Sequence, residues 1–347
     1  MRDSHELFPE PDAGPTTSYG GSYRLFDFTR VARYPLATRQ NKVRLEHLLD
    51  PAQVLEAPLA FDSPELRAVA RQLVEARSRG LPVLWFNGAH LIKNGMGPLV
   101  IDLIERGIIS HYATNGAGSI HDFELALLGQ TSENVPNALR LGQFGFAYET
   151  GRYMNLAINR GYAKGWGLGE SLARFILGET SGGEVHFSHP DVSVVARAYR
   201  KGIPVTVHVA IGTDILHQHP EFRGEATGAT TGWDFAIFAA SVERMSQGGV
   251  FVNVGSAVIG PEVLLKSVSM CANVGCPPMG LITADFDFRF VELSDVRDES
   301  RPGYYFRDVK SVVTRIPEAF GGRGFYVQGD QRLTIPALYK LVVEMMA

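Results

Sequence analysis

Apolar residues along the chain alternate between two patterns. Short unbroken runs at 81–86 (LPVLWF), 108–114 (IISHYAT), 203–211 (IPVTVHVAI), 250–255 (VFVNVG) and 279–286 (MGLITADF) read as strands buried on both faces. Between them, apolar positions recur at helical spacing over 64–80, 96–107, 191–202, 232–249 and 256–275. The first of these helices opens on Ser63 as an N-cap with Glu65 in its first turn, and closes on Gly80. Strands alternating with helices mean repeated βαβ units. The expected fold class is therefore α/β: a Rossmann-like parallel sheet with helices on both faces, its strand series ending at 279–286. No repeat of solenoid length is present. Residues 1–22 are polar and rich in Pro and Gly, and read as an N-terminal arm or disordered tail. Residues 23–347 form one catalytic domain in this reading. The glycine- and aromatic-rich stretch 141–190 is an insertion between the two halves of the sheet, with at least two helices in it.

Composition narrows the partners. Of 347 residues, 33 are basic and 37 acidic, for a net charge of −4, which gives no electrostatic footprint for nucleic acid or an anionic membrane. A small-molecule substrate is the expected partner. Two cysteines, Cys271 and Cys276, exclude a disulfide scaffold. No apolar stretch reaches the roughly 18 residues of a membrane span. The first residues carry Asp3, Glu6, Glu10 and Asp12 where a secretory signal would be basic and then apolar, so the expected location is cytoplasmic.

Glycine is the compositional excess: 37 of 347, against an average of roughly 7%. Gly88, the Asn115-Gly116-Ala117-Gly118 break, Gly212 and Gly255 each follow an expected strand. The carboxyl ends of strands in an open α/β sheet line the ligand crevice, and glycine lets backbone approach a phosphate or ribose closely. The GxGxxG fingerprint itself is absent. Gly116 and Gly118 lack a third glycine and follow the second strand.

The blocks NGAHLIKNG (87–95), TNGAGSIHDFE (114–124), KGIPVTVHVAIGTD (201–214), VNVGSAVIG (252–260) and ITAD (282–285) stand in the order and spacing of the deoxyhypusine synthase family. Arg301-Pro302, then Lys310, then Asp330 with Leu333 and Pro336, complete a chain that resembles that family over about 63–338. The resemblance implies NAD as cofactor. It places the NAD contacts at Ala89, His90, Leu91, Ile92 and Lys93, at Thr114, Asn115 and Gly116, at Asp214, Gly255 and Ser256, and at Thr283, Ala284, Asp330 and Gln331. It also implies that Lys310 forms a Schiff base with the carbon chain being transferred, and that the protein is a homo-oligomer, a tetramer, of transferase type. A lysine works in that role only as the neutral amine, so burial or neighbouring cations must lower its pKa. Arg301, Arg307 and Arg315 stand near it in sequence.

The pattern also departs from the family. The family's active-site histidine falls near Gly260-Pro261, its acid after the second loop falls at Ile120 or His121, and a further carboxylate is replaced by His219. Tyr304 and Asp308 stand where the family has Glu and Trp between the Arg-Pro pair and the lysine. A buried polycation needs paired anions, so the expected substrate is not spermidine itself. Candidate substrate contacts are His121, His217, His219, Asp295, Arg301 and Tyr304, with a pocket shifted toward a neutral or anionic molecule. Against that shift, Asp287, Glu292, Asp295, Asp298 and Glu299 offer acids for an amine pocket. Two other functions fit the same residues: an NAD-using lyase or cyclodeaminase acting on an amino acid, and a nucleotide-binding protein without catalysis. The histidines His186, His189, His208, His217 and His219 invite a metal reading, but their spacing fixes no third ligand, and no metal is expected.

Overall fold

The computed structural model describes residues 19–347. Most of the expected arm, 1–18, lies outside them, and residues 19–22 are exposed. After β1 (Asn41–Arg44) and α1 (Pro51–Glu56) comes α2 (Pro64–Ser78), capped as its sequence requires: the Ser63 hydroxyl accepts from Leu66 N at 3.1 Å. The series continues β2 (Val83–Asn87), α3 (Ala89–Lys93), α4 (Gly97–Glu105), β3 (His111–Asn115), α5 (Gly116–Leu128), β4 (Gln130–Glu133), α6 (Val135–Arg140), α7 (Tyr148–Lys164), α8 (Leu168–Ile176), α9 (Val194–Arg200) and β5 (Val205–His208). Then follow α10 (Gly224–Glu243), β6 (Val250–Val254), α11 (Ile259–Asn273), β7 (Ile282–Asp287), a π-helical segment at Val309–Arg315, α12 (Ile316–Ala319), β8 (Arg323–Gln328) and α13 (Gln331–Met346).

Six strands make one parallel sheet in the order β5-β3-β2-β6-β7-β8, with β1 and β4 forming a separate antiparallel pair. This is the 3-2-1-4-5-6 order of doubly wound dinucleotide-binding sheets. The α/β expectation therefore stands. Alternation along β2 explains the two layers: Val83 and Trp85 face a core that includes residues of α2, α4, α9 and α13, while Leu84 and Phe86 face one that includes residues of α10 and α11.

Three expectations change. The strand series does not end at 279–286, because β8 follows on the far edge, with its exposed end residues hiding the apolar alternation of Phe325 and Val327. Asn115-Gly116-Ala117-Gly118 is not a loop; Asn115 caps α5, its side chain accepting from Gly118 N at 2.8 Å, so the glycines form the first helical turn. The stretch 141–190 does contain two helices, α7 and α8, but it lies within the β3–β5 half and not between the halves, which meet at β2 and β6. Its role is visible in the contacts. Gly169 of α8 lies so close to the edge strand β5 that a Cβ there would stand 2.3 Å from Val205 O. Asp234 of α10 accepts from both Gly169 N and Val207 N at 2.8 and 2.7 Å. The exposed amides of an edge strand are covered in this way.

Candidate functional site

The chain turns from one half of the sheet to the other between β2 and β6, and at such a switch point the carboxyl ends of strands open a crevice. A cleft of about 600 Å³ lies there, lined by His90 and Asn94 after β2, Gly255 and Ala257 after β6, Asp287, Phe288 and Arg289 after β7, and Asp330, Gln331 and Arg332 at the start of α13. Two glycines set its floor. A Cβ on Gly88 would meet Gly255 O at 2.4 Å, and Gly88 N donates to Val254 O at 2.9 Å, so the two strand-end turns touch backbone to backbone. Gly255 has φ +62°, the left-handed region that glycine adopts freely. Beneath them Thr114 Oγ1 donates to Asn87 O at 2.8 Å, tying β3 to the β2 turn. The Asn87 Oδ1 and Gln331 Oε1 atoms are buried with no protein partner.

The NAD residues implied by resemblance divide on this geometry. His90, Gly255, Asp330 and Gln331 line the cleft. Ala89 and Lys93 share α3 with His90, and Ser256 follows Gly255, its hydroxyl accepting from Gly260 N at 2.9 Å. Leu91 and Ile92 point into the hydrophobic core. Thr283 and Ala284 are buried near the amino end of β7, where Thr283 donates to Val312 O, far along the strand from its carboxyl end. Asn115 and Gly116 lie at the head of α5 with Asp214, whose carboxylate would stand 2.1 Å from a Cβ on Gly116. Burial pushes the Asp214 carboxyl up to about 6.

Sequence reasoning undervalued the wall of the cleft. Asp285, Asp287 and Asp308 are all buried and bring a carboxylate oxygen each within 4.8 Å of the others. Arg289 pairs with both Asp287 and Asp308, its guanidinium lying over the Phe306 ring. Asn253 donates to Asp285 Oδ1 at 2.7 Å, and the other oxygen, Oδ2, has no partner. Burial first, and Asp308 next, raise Asp285 well above the carboxylate range, so it holds its proton. The signal for this wall was two acids, Asp285 and Asp287, alternating with apolar residues at the end of a buried strand.

His90, which lines the cleft, shares α3 with Lys93. Burial, then Lys93, lower the pKa of His90, while burial, then Lys42, lower that of Lys93. His121, on α5 beside them, bonds through Nδ1 to Thr131 Oγ1 at 2.7 Å. His217 Nδ1 accepts from Gly212 N and Asp214 N. His219 is fully buried, packed on Gly151 with Nε2 on Gly145 O at 2.8 Å, so it fills space between elements.

Lys310 is buried, in the π-helical turn, and its amine sits 3.5 Å from the centre of the Tyr304 ring. Burial first, then Arg315 and Arg307, lower its pKa. It does not line the cleft, although Asp308, two residues earlier, does. Tyr304 donates to Glu299 at 2.7 Å, whereas Arg301 is exposed and Asp295 lies under Gly303.

No protein-family model matches the chain, and a search of the curated proteins found no match. Among solved structures it is similar to ArgZ, an arginine dihydrolase from the ornithine-ammonia cycle in cyanobacteria, at 15% identity and TM-score 0.47, covering 83% of this chain and 34% of that one. It is similar to AgrE in complex with ornithine and NAD+, at 15% identity and TM-score 0.49, covering 81% and 32%. A candidate deoxyhypusine synthase from Entamoeba histolytica has 9% identity and TM-score 0.47, covering 85% and 92%. The chain thus spans about a third of the length of the ArgZ and AgrE chains it matches.

Proposed function

We propose that this chain is an NAD-dependent enzyme, a divergent relative of the deoxyhypusine synthases, that takes hydride from a carbon bearing an amine and returns it within one cycle. The observation that carries the reading is the cleft at the β2–β6 switch point with a carboxylate wall on one side. The residues suit a dinucleotide: Gly88 lets the β2 and β6 turns pack backbone to backbone at the cleft, the Gln331 side chain lies over Gly255, and the buried Gln331 Oε1 lacks a protein partner that a ligand's amide or hydroxyl would supply. NAD, when bound, supplies the hydride acceptor. The chain's own residues orient the substrate against it.

The wall favours an amine over the neutral or anionic molecule expected from the lost family acids. Burial raises the pKa of Asp285 and of Asp308, and Arg289 pairs with Asp287 and Asp308, so the wall presents acids to an amine but few unpaired carboxylates for a polycation such as spermidine. Lys310 is the proposed covalent carrier of the transferred chain, and burial, then Arg315 and Arg307, lower its pKa toward the neutral amine that role needs. A homotetramer belongs to the same proposal. The second reading, a lyase or cyclodeaminase on an amino acid, is favoured by Lys93, which shares α3 with the cleft-lining His90 and suits a substrate carboxylate.

Calorimetric titration with NAD tests the cofactor, and nicotinamide absorbance with NAD plus either spermidine or ornithine tests the substrate. Binding of NAD with turnover of ornithine and not spermidine is the expected result. No NAD binding sinks the proposal, and NAD binding without turnover of any amine marks a nucleotide-binding protein instead.

A further inference from the structure

A second cavity, of about 420 Å³, opens at the carboxyl end of β5 between α10 and α11. It shares no lining residue with the cleft. Val209, Phe235, Ile259 and Val263 make its walls apolar, and at Gly232 no atom of the described residues lies within 4 Å of where a Cβ would stand. His208, 4% exposed, completes the lining, its ring held by Phe86 and Phe238 at 5.7 and 5.4 Å centre to centre.

Behind His208 runs a chain of four groups. Ser241 Oγ lies 2.8 Å from His111 Nδ1, His111 Nε2 lies 2.9 Å from Thr206 Oγ1, and Thr206 Oγ1 lies 3.0 Å from His208 Nε2. Burial draws both histidines down to about 3, with His208 adding to burial at His111, so each ring is neutral and carries one hydrogen. A hydroxyl also has one hydrogen. Ser241 has no other partner among the described residues, so its hydrogen is used only if it goes to His111 Nδ1. His111 then donates through Nε2 to Thr206, and Thr206 donates to His208 Nε2. The remaining hydrogen sits on His208 Nδ1, which has no partner among the described residues and is open to the cavity its ring lines. Any other arrangement leaves a buried donor of the chain unused, which is costly.

The cavity's other polar groups are engaged. Thr231 Oγ1 donates to Val207 O at 3.0 Å, and Lys266 pairs with Glu262. An ionic ligand would leave water for apolar walls without a free counter-ion. We propose that this cavity is a second small-molecule site, and that it takes a neutral, largely apolar compound through a carbonyl oxygen that accepts from His208 Nδ1. The site needs neither NAD nor an amine, so it stands or falls apart from the activity proposed above.

Acetophenone, one carbonyl on an apolar ring, is the probe, with ethylbenzene and benzoate as controls. Saturation-transfer NMR on the wild-type chain is expected to find acetophenone bound about fivefold or more tighter than ethylbenzene, which lacks the acceptor, and tighter than benzoate. Nitrogen-15 correlation spectra of the histidine-labelled chain are expected to show the His208 hydrogen on Nδ1. Gly232→Leu, which fills the cavity from a position with open space and favours the helix, is expected to abolish acetophenone binding. No binding of acetophenone to the wild type, or binding that survives Gly232→Leu, overturns the site. Ethylbenzene or benzoate bound as tightly as acetophenone, or a His208 hydrogen on Nε2, overturns the assigned ligand chemistry.

Discussion

Single atoms decide the shape of the cleft. Gly88 has φ −83°, which any residue adopts, so its need for glycine is purely steric: a Cβ would meet a backbone oxygen, Gly255 O, at 2.4 Å. Backbone yields less readily than a flexible side chain. Gly88→Ala is therefore expected to cost about 1–3 kcal/mol of stability and to weaken NAD binding about tenfold or more, as read by thermal melting and calorimetry. Asp234 shows a different single-residue effect. Burial lifts its carboxyl to about 8 despite bonds from Val207 N and Gly169 N, so between pH 4 and pH 8 the folded state keeps a proton that the unfolded state has lost. Stability then falls as pH rises through that window. Asp234→Asn removes the titration, and melting curves are expected to show the variant gaining on the wild type by at least about 1 kcal/mol between pH 5 and pH 8. An unchanged gap contradicts the assignment. Both residues were visible as letters. What they touch, a turn from another strand and the edge of β5, was not.

Elements were legible where one face is apolar and illegible where a fold-specific contact overrides composition. Helix α2 could be read from Ser63 to its end because cap, first-turn acid and apolar stripe agree. Helix α10 begins eight residues before the expected 232, at Gly224; glycine's low helix propensity at Gly224 and Gly228 hides the first turns, and at Gly228 and Gly232 nothing lies within 4 Å of a Cβ. Helix α5 was misread at its head although its glycines, unlike those of α10, are packed against Asp214 and Thr114. The cap is the test of that assignment. Asn115→Ala removes the side-chain acceptor for Gly118 N and is expected to cost about 1 kcal/mol, measured by chemical denaturation. A loop at 115–119 would lose nothing.

On the scale of the whole chain, the sheet gathers residues from 90 to 332 at the carboxyl ends of its strands, which spacing along the sequence cannot announce. The glycine turns were legible as strand-end features, and Asp330 only through the family resemblance; that it caps α13 was not. The carboxylate wall was not, since Asp308 arrives from a π-helical turn to meet β7. That same turn separates two proposed parts of the mechanism: Asp308 lines the cleft, while the Lys310 amine rests on Tyr304 and does not. If Lys310 is the carrier, it acts at the cleft of another copy, which a homo-oligomer permits. Two inactive variants then carry the test. Lys310→Ala keeps an intact cleft and Asp287→Ala, which removes a carboxylate of the amine-binding wall, keeps the lysine, so each alone is expected to lack turnover with NAD and ornithine. Mixed after reversible dissociation, they are expected to regain about a quarter of the wild-type rate, because random pairing across a two-chain interface rebuilds that share of sites. Borohydride trapping of a carbon fragment on Lys310 in the mixture, and none on Lys310→Ala, ties the recovered turnover to that amine. If the mixture stays inactive although NAD binds to the Lys310→Ala chains, lysine and cleft do not act between subunits.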